Sequence, residues 1–134
     1  EKIGWVNIDQ PVIGDSMGPA SLATTHIAYY RFHGRNYQNW FREGAGRNQR
    51  YDYLYNSDEL GEWLLRIKET LPETEKTAVV FNNHFKGQAV VNSLQLLALL
   101  TEAKPQVPPE LAEHYPELGG FVTLPPMQGT LPLF

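Results

Sequence analysis

Residues 77–101 read TAVVFNNHFKGQAVVNSLQLLALLT, and this stretch indicates the fold class. The apolar run at its start predicts a buried strand over 77–83. The part after Gly87 predicts a helix over 87–101, because apolar side chains are in the majority there (Val90, Leu94, Leu97, Leu100). Near-continuous apolar strands that alternate with helices are typical of parallel sheets covered on both faces.

Working outward from this stretch, the preceding helix is indicated by its start signal and its periodicity. Asn56 and Glu59 have the spacing of a capping box, in which each side chain satisfies a backbone N–H group. Apolar residues then recur at intervals of three and four, and Pro72 ends the pattern. The helix is predicted near 57–70, and its apolar stripe consists of Leu60, Trp63, Leu64, Ile67 and Leu71.

Two further strands are predicted upstream. The aromatic-rich segment IAYYRFH at 27–33 ends at Gly34, and IGWVNI at 3–8 is followed by Asp9 and Pro11. A chain that enters a buried strand so close to Glu1 suggests that upstream sequence is missing. Three parallel strands cannot close a barrel, and their edges would expose unpaired backbone groups. We therefore expect the C-terminal part of a larger parallel β/α protein, associating or unstable when alone.

The composition bounds the possible functions. The net charge of −4 gives no overall basic field for nucleic acid or an anionic membrane surface. There is no cysteine, which excludes disulfides, thiolate metal sites and a cysteine nucleophile. No apolar run approaches the ~20 residues of a membrane span. We expect a cytoplasmic protein that uses no cofactor or metal, although a lost signal peptide stays an open alternative.

Each predicted strand becomes polar at its C-terminal end, where parallel β/α folds carry their sites. Alternation places Val6 and Ile8 toward the helices and Asn7 and Asp9 inward. The same rule directs a larger set inward, namely Tyr29, Arg31, His33, Asn82 and His84. The convergence favours a functional cluster, but each residue alone could be a cap or loop residue. For Asn83 the two interpretations are balanced.

Arg31 is the most informative member of this predicted cluster. A guanidinium near a strand end needs a carboxylate or an anionic ligand to offset its desolvation. Asp9 could supply that carboxylate, which would make the pair structural. The N-terminus of the last helix, with Lys86 beside it, is a second candidate anion site. Gln88 and Asn92 share one face of that helix. Their side chains could either reach the cluster or cap backbone groups.

The loop 34–55 combines arginines with aromatic residues, among them Arg35 and Tyr53. A phosphate-bearing or sugar-like ligand would suit such a loop, and single-stranded nucleic acid is a weaker alternative. A packed loop whose polar groups pair with one another, without a ligand, is an equally good interpretation. Motifs for serine hydrolases, phosphate loops, zinc peptidases and dinucleotide binding do not occur. The histidines lack metal-ligand spacing, and a mononuclear site including Asp9 is only weakly indicated.

Three segments together resemble the YecE-like family, catalogued as domain of unknown function 72: YYRFHGR (29–35), YDYLYNSDELGEW (51–63) and FNNHFKGQAVVNSLQLL (81–97). The resemblance covers roughly residues 1–100. It implies an α/β fold, specifically the C-terminal portion of a TIM-like barrel, which takes in residues 1–103. The composition itself predicts a Pro-rich irregular tail over 104–134, with one turn of helix near 109–115. The missing N-terminal half would be a partner. The recurrent motif positions that it implies are Asp9, Arg31, His33, Gly34, Tyr53, Asn82, Asn83, Gln88 and Asn92.

Three functional hypotheses follow. In the first, an enzyme acts on a phosphorylated or polyhydroxylated small molecule, with His33 as general acid or base and Asp9 orienting it. Substrate binding would then fall to a larger group, namely Arg31, Arg35, Tyr53, Asn82, Asn83, His84, Gln88 and Asn92. In the second, the same cluster binds a ligand or nucleic acid without catalysis. In the third, these residues are structural.

Overall fold

A computed structural model describes residues 3–126. Its sheet has three parallel strands in the order β1 (Val6–Asp9), β2 (Ile27–Phe32) and β3 (Lys76–Phe81). The connections after β1 and β2 are long enough for the crossovers that parallel pairing requires. The prediction of three parallel strands is confirmed, although β1 begins and ends slightly later than expected.

Five α-helices occur in the described part of the chain: α1 (Tyr37–Trp40), α2 (Arg47–Arg50), α3 (Ser57–Thr70), α4 (Gln88–Thr101) and α5 (Pro109–His114). The predicted capping box at α3 is present, because Asn56 and Glu59 exchange bonds with each other's backbone N–H groups. Short 3-10 turns lie at Leu71–Glu73, Phe85–Gly87 and Pro116–Leu118. None of the helices within residues 3–126 is both long and apolar enough to cross a membrane.

The main core lies on one side of the sheet, which we call the helix face. Tyr30 and Phe32 of β2 are fully buried there and pack against Trp63 of α3 and Leu96 of α4. The rings of Phe32 and Trp63 meet edge to face at 4.9 Å, and Phe32 stacks on Phe81 at 4.7 Å. The expectation that Tyr30, Phe32, Val79 and Phe81 face the helices is confirmed.

The opposite side, which we call the open face, carries Val6, Ile8, Ile27 and Val80 at 36–39% exposure. This reverses the facing predicted for β1. Asn7 pairs in register with Tyr30, and Asp9 with Phe32, so both polar residues lie on the helix face. The prediction from apolarity was wrong because Asn7 and Asp9 find buried partners, while the apolar Val6 and Ile8 are left partly exposed.

The segment after α4 folds back on that helix. Tyr115 and Leu118 form a second small core with Val91 of α4, and a parallel bridge joins Gln106 to Thr123. The helical turn predicted near 109–115 is present as α5. The last eight residues of the predicted tail, 127–134, lie outside the described residues.

Candidate functional site

Asp9 is the centre of a polar network on the helix face, which we call the Asp9 network (Asp9, Arg35, Tyr53, Tyr55 and Glu59). Arg35 Nε and Nη2 donate to the Asp9 carboxylate at 2.9–3.1 Å, and the Tyr55 hydroxyl donates to it at 2.6 Å. The carboxylate is 3% exposed. A buried carboxylate that accepts this many hydrogen bonds is held in a fixed position, which suits a structural role.

The rest of the Asp9 network is equally well satisfied. The Tyr53 hydroxyl donates to Glu59 at 2.5 Å, and Arg35 Nη1 lies 3.4 Å from the same carboxylate. Burial raises the pKa of both tyrosines, and the neighbouring carboxylates raise it further. Burial opposes the charge of Arg35, but its hydrogen bond and attraction to Asp9 outweigh burial and raise its pKa. These hydroxyls therefore stay protonated and Arg35 stays charged.

Three buried amides, which we call the amide set (Asn83, Gln88 and Asn92), hold the segment that carries the two tyrosines. Gln88 Oε1 accepts from the Tyr53 N–H at 2.9 Å, and Asn83 Nδ2 donates to the Tyr53 carbonyl at 2.8 Å. Asn92 accepts from the Tyr55 N–H at 3.1 Å and donates to its carbonyl at 3.0 Å. The amide set thus replaces a neighbouring strand for residues 53–55.

These bonds correct the grouping expected from the sequence. Asp9 was expected to orient His33 or to pair with Arg31, but its carboxylate is engaged by Arg35 and Tyr55 instead. The start of α4 was expected to receive an anion. Asp52 already lies beside it, bonded to Gln88 at 2.9 Å and to Lys86 at 3.0 Å.

A second cluster lies at the C-terminal end of the open face. Arg31 Nε and Nη2 both donate to Oδ1 of Asn82, at 3.1 and 3.0 Å. Within residues 3–126, no carboxylate forms a salt bridge with Arg31. The guanidinium therefore has no charged partner among these residues, and its remaining N–H groups and the Asn82 amide can donate to a ligand.

Four rings adjoin this pair, and we call them the ring row (His33, Trp40, Tyr51 and His84). The His33 ring lies 5.9 Å from Tyr51 and 6.2 Å from Trp40, and Tyr51 lies 5.6 Å from His84. His84 Nδ1 lies 2.8 Å from the Asn82 carbonyl, which joins the row to the Arg31 pair. Trp40 and Tyr51 belong to the aromatic residues of the loop 34–55, which the sequence indicated either as a ligand cover or as a packed loop. Without periodicity in that loop, the sequence could not place them beside Arg31.

His33 is the member best suited to proton transfer. Burial lowers its pKa, the positive charge of Arg31 lowers it further, and Asp9 partly opposes the shift. Its Nδ1 atom is buried and has no hydrogen-bond partner in the described part of the chain. A neutral imidazole beside a cation can accept a proton from a bound molecule through its other ring nitrogen, Nε2.

The predicted site residues therefore divide between two faces. Arg31, His33, Asn82 and His84 meet on the open face. The others belong to the supporting networks on the helix side, namely Asp9, Arg35, Tyr53, Asn83, Gln88 and Asn92. No group of three or more histidine or acidic side chains within the described residues could hold a metal ion.

Comparison with known proteins places the chain in a family. The model for "Protein of unknown function DUF72" matches residues 1–116. The UPF0759 protein YunF of Bacillus subtilis (strain 168) is 38% identical over 104 residues, which are 72% of this chain and 37% of that protein.

Solved structures agree with this match. A DUF72 family protein of Thermotoga maritima MSB8 is 39% identical with a TM-score of 0.64, covering 71% of this chain and 35% of that one. A DUF72 family protein of Enterococcus faecalis V583 is 29% identical with a TM-score of 0.66, covering 72% and 36%. The chain spans little more than a third of the length of these relatives. By sequence and by fold, the chain belongs to the DUF72 family.

Proposed function

We propose that the open face binds a small anionic molecule at the ends of the strands, through Arg31 and Asn82. The observation that carries this proposal is the partnership of Arg31, whose two donating nitrogens meet a neutral amide oxygen. A half-buried guanidinium that lacks a carboxylate is stabilised by an anionic ligand. Phosphate and carboxylate groups both match the planar fork of arginine.

The same geometry supports catalysis on a phosphorylated or polyhydroxylated small molecule. His33, neutral near pH 7 because of its lowered pKa, would act as a general base beside the bound anion. Asp9 takes no direct part in this version, since its carboxylate is engaged by Arg35 and Tyr55. A non-catalytic binding module would use the same donors, and turnover of a bound substrate distinguishes the two.

We also propose that this sheet is part of a TIM-like barrel. Strands from the rest of the protein would close the barrel and cover the open face. Its partly exposed Val6, Ile8 and Val80 support this, as does the greater length of the relatives. Within residues 3–126 the outer edges of β1 and β3 pair with no further strand. We further propose that the protein is cytoplasmic, and cell fractionation tests this location.

The anion proposal is tested by comparing the Arg31→Met variant with the unaltered protein. Methionine keeps the packing of the aliphatic part of the arginine side chain and removes the guanidinium group. We expect inorganic phosphate, titrated by calorimetry, to bind the variant at least about tenfold more weakly, which corresponds to about 1.4 kcal/mol. Urea unfolding should show a stability change below about 1 kcal/mol, since the lost partner is a neutral amide.

The matched control is Arg66→Met, because Arg66 lies over the Trp63 ring at 5.6 Å on the other side of the molecule's core. Phosphate affinity should be unchanged in this variant. Equal phosphate affinity in the full chain and in Arg31→Met, together with a large loss of stability, would show that Arg31 is structural. Metabolites that co-purify with the full-length protein, identified by mass spectrometry, would name the natural ligand.

A further inference from the structure

The donors and acceptors at the open-face site are unequal in number. Arg31 and the Asn82 amide offer N–H groups, while the Asn82 oxygen is already used by Arg31. The carboxylates that adjoin these elements are engaged within the chain, namely Asp9 by Arg35, Asp52 by Lys86 and Glu59 by Tyr53. A polyhydroxylated ligand presents many O–H donors. Apart from the imidazoles of His33 and His84 and the Tyr51 hydroxyl, the side chains of this site offer these donors no free acceptor.

The ring row supplies the other surface of the site. Tyr51 lies between the two imidazoles, tilted by 40° to His33 and by 37° to His84, and Trp40 meets Tyr51 edge to face at 5.7 Å. His84 is exposed, and the other three rings are half-buried. A planar group can therefore stack on the row while its anionic substituent reaches Arg31.

From these two features we infer that the ligand is a planar aromatic molecule bearing an anionic group, such as an aryl phosphate, and not a sugar phosphate. This inference rests on the proposed anion site, and it narrows the substrate class given there. Arg31 and Asn82 would hold the anion, and the ring row would hold the aromatic plane. The Asn82 carbonyl, which binds His84, fixes one end of the row beside the anion.

Three probes test the inference on the full chain: inorganic phosphate, phenyl phosphate and glucose 6-phosphate. We expect phenyl phosphate to bind about 5- to 100-fold more tightly than inorganic phosphate, the range that one aromatic stack contributes. Glucose 6-phosphate should bind no more tightly than inorganic phosphate. In ligand-observed NMR, the phenyl protons should shift upfield because they lie over the faces of protein rings.

Tyr51→Leu should remove the preference for phenyl phosphate over inorganic phosphate. Tyr37→Leu is the matched control, because Tyr37 is 52% exposed and lies outside the ring row, so the preference should persist. If Tyr51→Leu fails to fold, His84→Ala provides the same test at an exposed position and should reduce the preference.

The outcomes separate this inference from the proposal on which it rests. Equal binding of inorganic and phenyl phosphate, or tighter binding of glucose 6-phosphate, would overturn the aromatic ligand and leave the anion site standing. Binding of phenyl phosphate that Arg31→Met leaves unchanged, or failure of all three probes to bind, would overturn both.

Discussion

Two arginines four positions apart have different surroundings. Arg35 meets the carboxylates of Asp9 and Glu59, whereas the one hydrogen-bond partner of the Arg31 side chain among the described residues is the amide oxygen of Asn82. Arg35 therefore has its countercharge within the chain, and Arg31 would obtain it from a ligand. The sequence could identify both arginines as candidates. It could not assign Asp9 to one of them, because that choice depends on which face of β1 carries the carboxylate.

Removal of the charge on Asp9 should destabilise the protein. In Asp9→Asn the shape is kept, but the largely buried Arg35 guanidinium loses its main countercharge. We expect the free energy of unfolding to fall by about 3 kcal/mol, the lower end for breaking a buried pair, since Arg35 is partly exposed. Urea unfolding monitored by circular dichroism measures this loss.

The control for Asp9→Asn is Glu62→Gln. Glu62 is 64% exposed and lies 3.8 Å from the same arginine, so solvent screens the interaction. Its substitution should change the stability by less than about 0.5 kcal/mol. Similar losses in the two variants would contradict a structural role specific to Asp9.

His33 makes the stability depend on pH in a defined direction. Burial and Arg31 lower its pKa below the ordinary value of 6.5. As the pH falls below that value, the unfolded chain takes up this proton before the folded chain does. The contribution to stability is therefore fully present above about pH 6.5 and is lost on acidification.

Replacement of His33 by Gln should remove this part of the pH dependence. Urea unfolding at about pH 7.5 and about pH 5 should show a smaller loss of stability in His33→Gln than in the unaltered chain. An NMR titration of the unaltered chain should also show the His33 pKa rising when phosphate binds nearby. Equal acid-induced losses in the two proteins would argue against the lowered pKa.

At the scale of elements, periodicity and capping signals predicted the strands and the two long helices well. The helix at Ser57–Thr70 was predicted by the Asn56–Glu59 box and a stripe that includes Trp63 and Ile67. The face of β1 was beyond such patterns. Both of its faces are plausible from alternation alone, and the register with Tyr30 and Phe32 decides between them.

The contribution of the amide set to stability can also be tested. Asn92 is fully buried and forms four hydrogen bonds, to Tyr55 N–H, Tyr55 C=O, Asn83 and Gln95. Asn92→Leu leaves the Tyr55 N–H and C=O groups without these partners, each at a cost of about 1–3 kcal/mol, whereas Asn83 keeps its bond to the Tyr53 carbonyl. We expect the free energy of unfolding to fall by at least about 3 kcal/mol, measured by urea unfolding.

The neighbouring exposed Ser93 provides the control for Asn92→Leu. Within the described residues its hydroxyl bonds to the Ala89 carbonyl one turn earlier and to no other group, so Ser93→Ala should change the stability by less than about 0.5 kcal/mol. A mild effect of Asn92→Leu would mean that residues 53–55 are held by their side chains instead of by the amide set.

At the scale of the whole molecule, the open face is the feature that governs behaviour in solution. Val6, Ile8, Ile27 and Val80 form an apolar surface that no described residue covers fully. Contiguous apolar surface of this kind promotes association. We expect the isolated chain to form dimers or larger species at micromolar concentrations, which sedimentation velocity detects.

The Val6→Lys/Val80→Lys double variant should shift the chain toward monomer. Leu65→Lys/Val90→Lys is the control, because these helix residues are more exposed, at 66% and 52%, but lie outside the open face. If the unaltered chain is monomeric and unfolds cooperatively in dilute solution, association through the open face is refuted.

The alternation along β2, which His33 continues directly after the strand, has a further consequence for how the protein tolerates change. Tyr30 and Phe32 face the core, whereas Arg31 and His33 face the proposed ligand. In a scan of every substitution at these four positions, cellular abundance should fall mainly for changes at 30 and 32. A selection that depends on ligand binding should also be sensitive to substitutions at 31 and 33. The abundance assay and the ligand assay would therefore give sensitivity profiles that are offset by one residue.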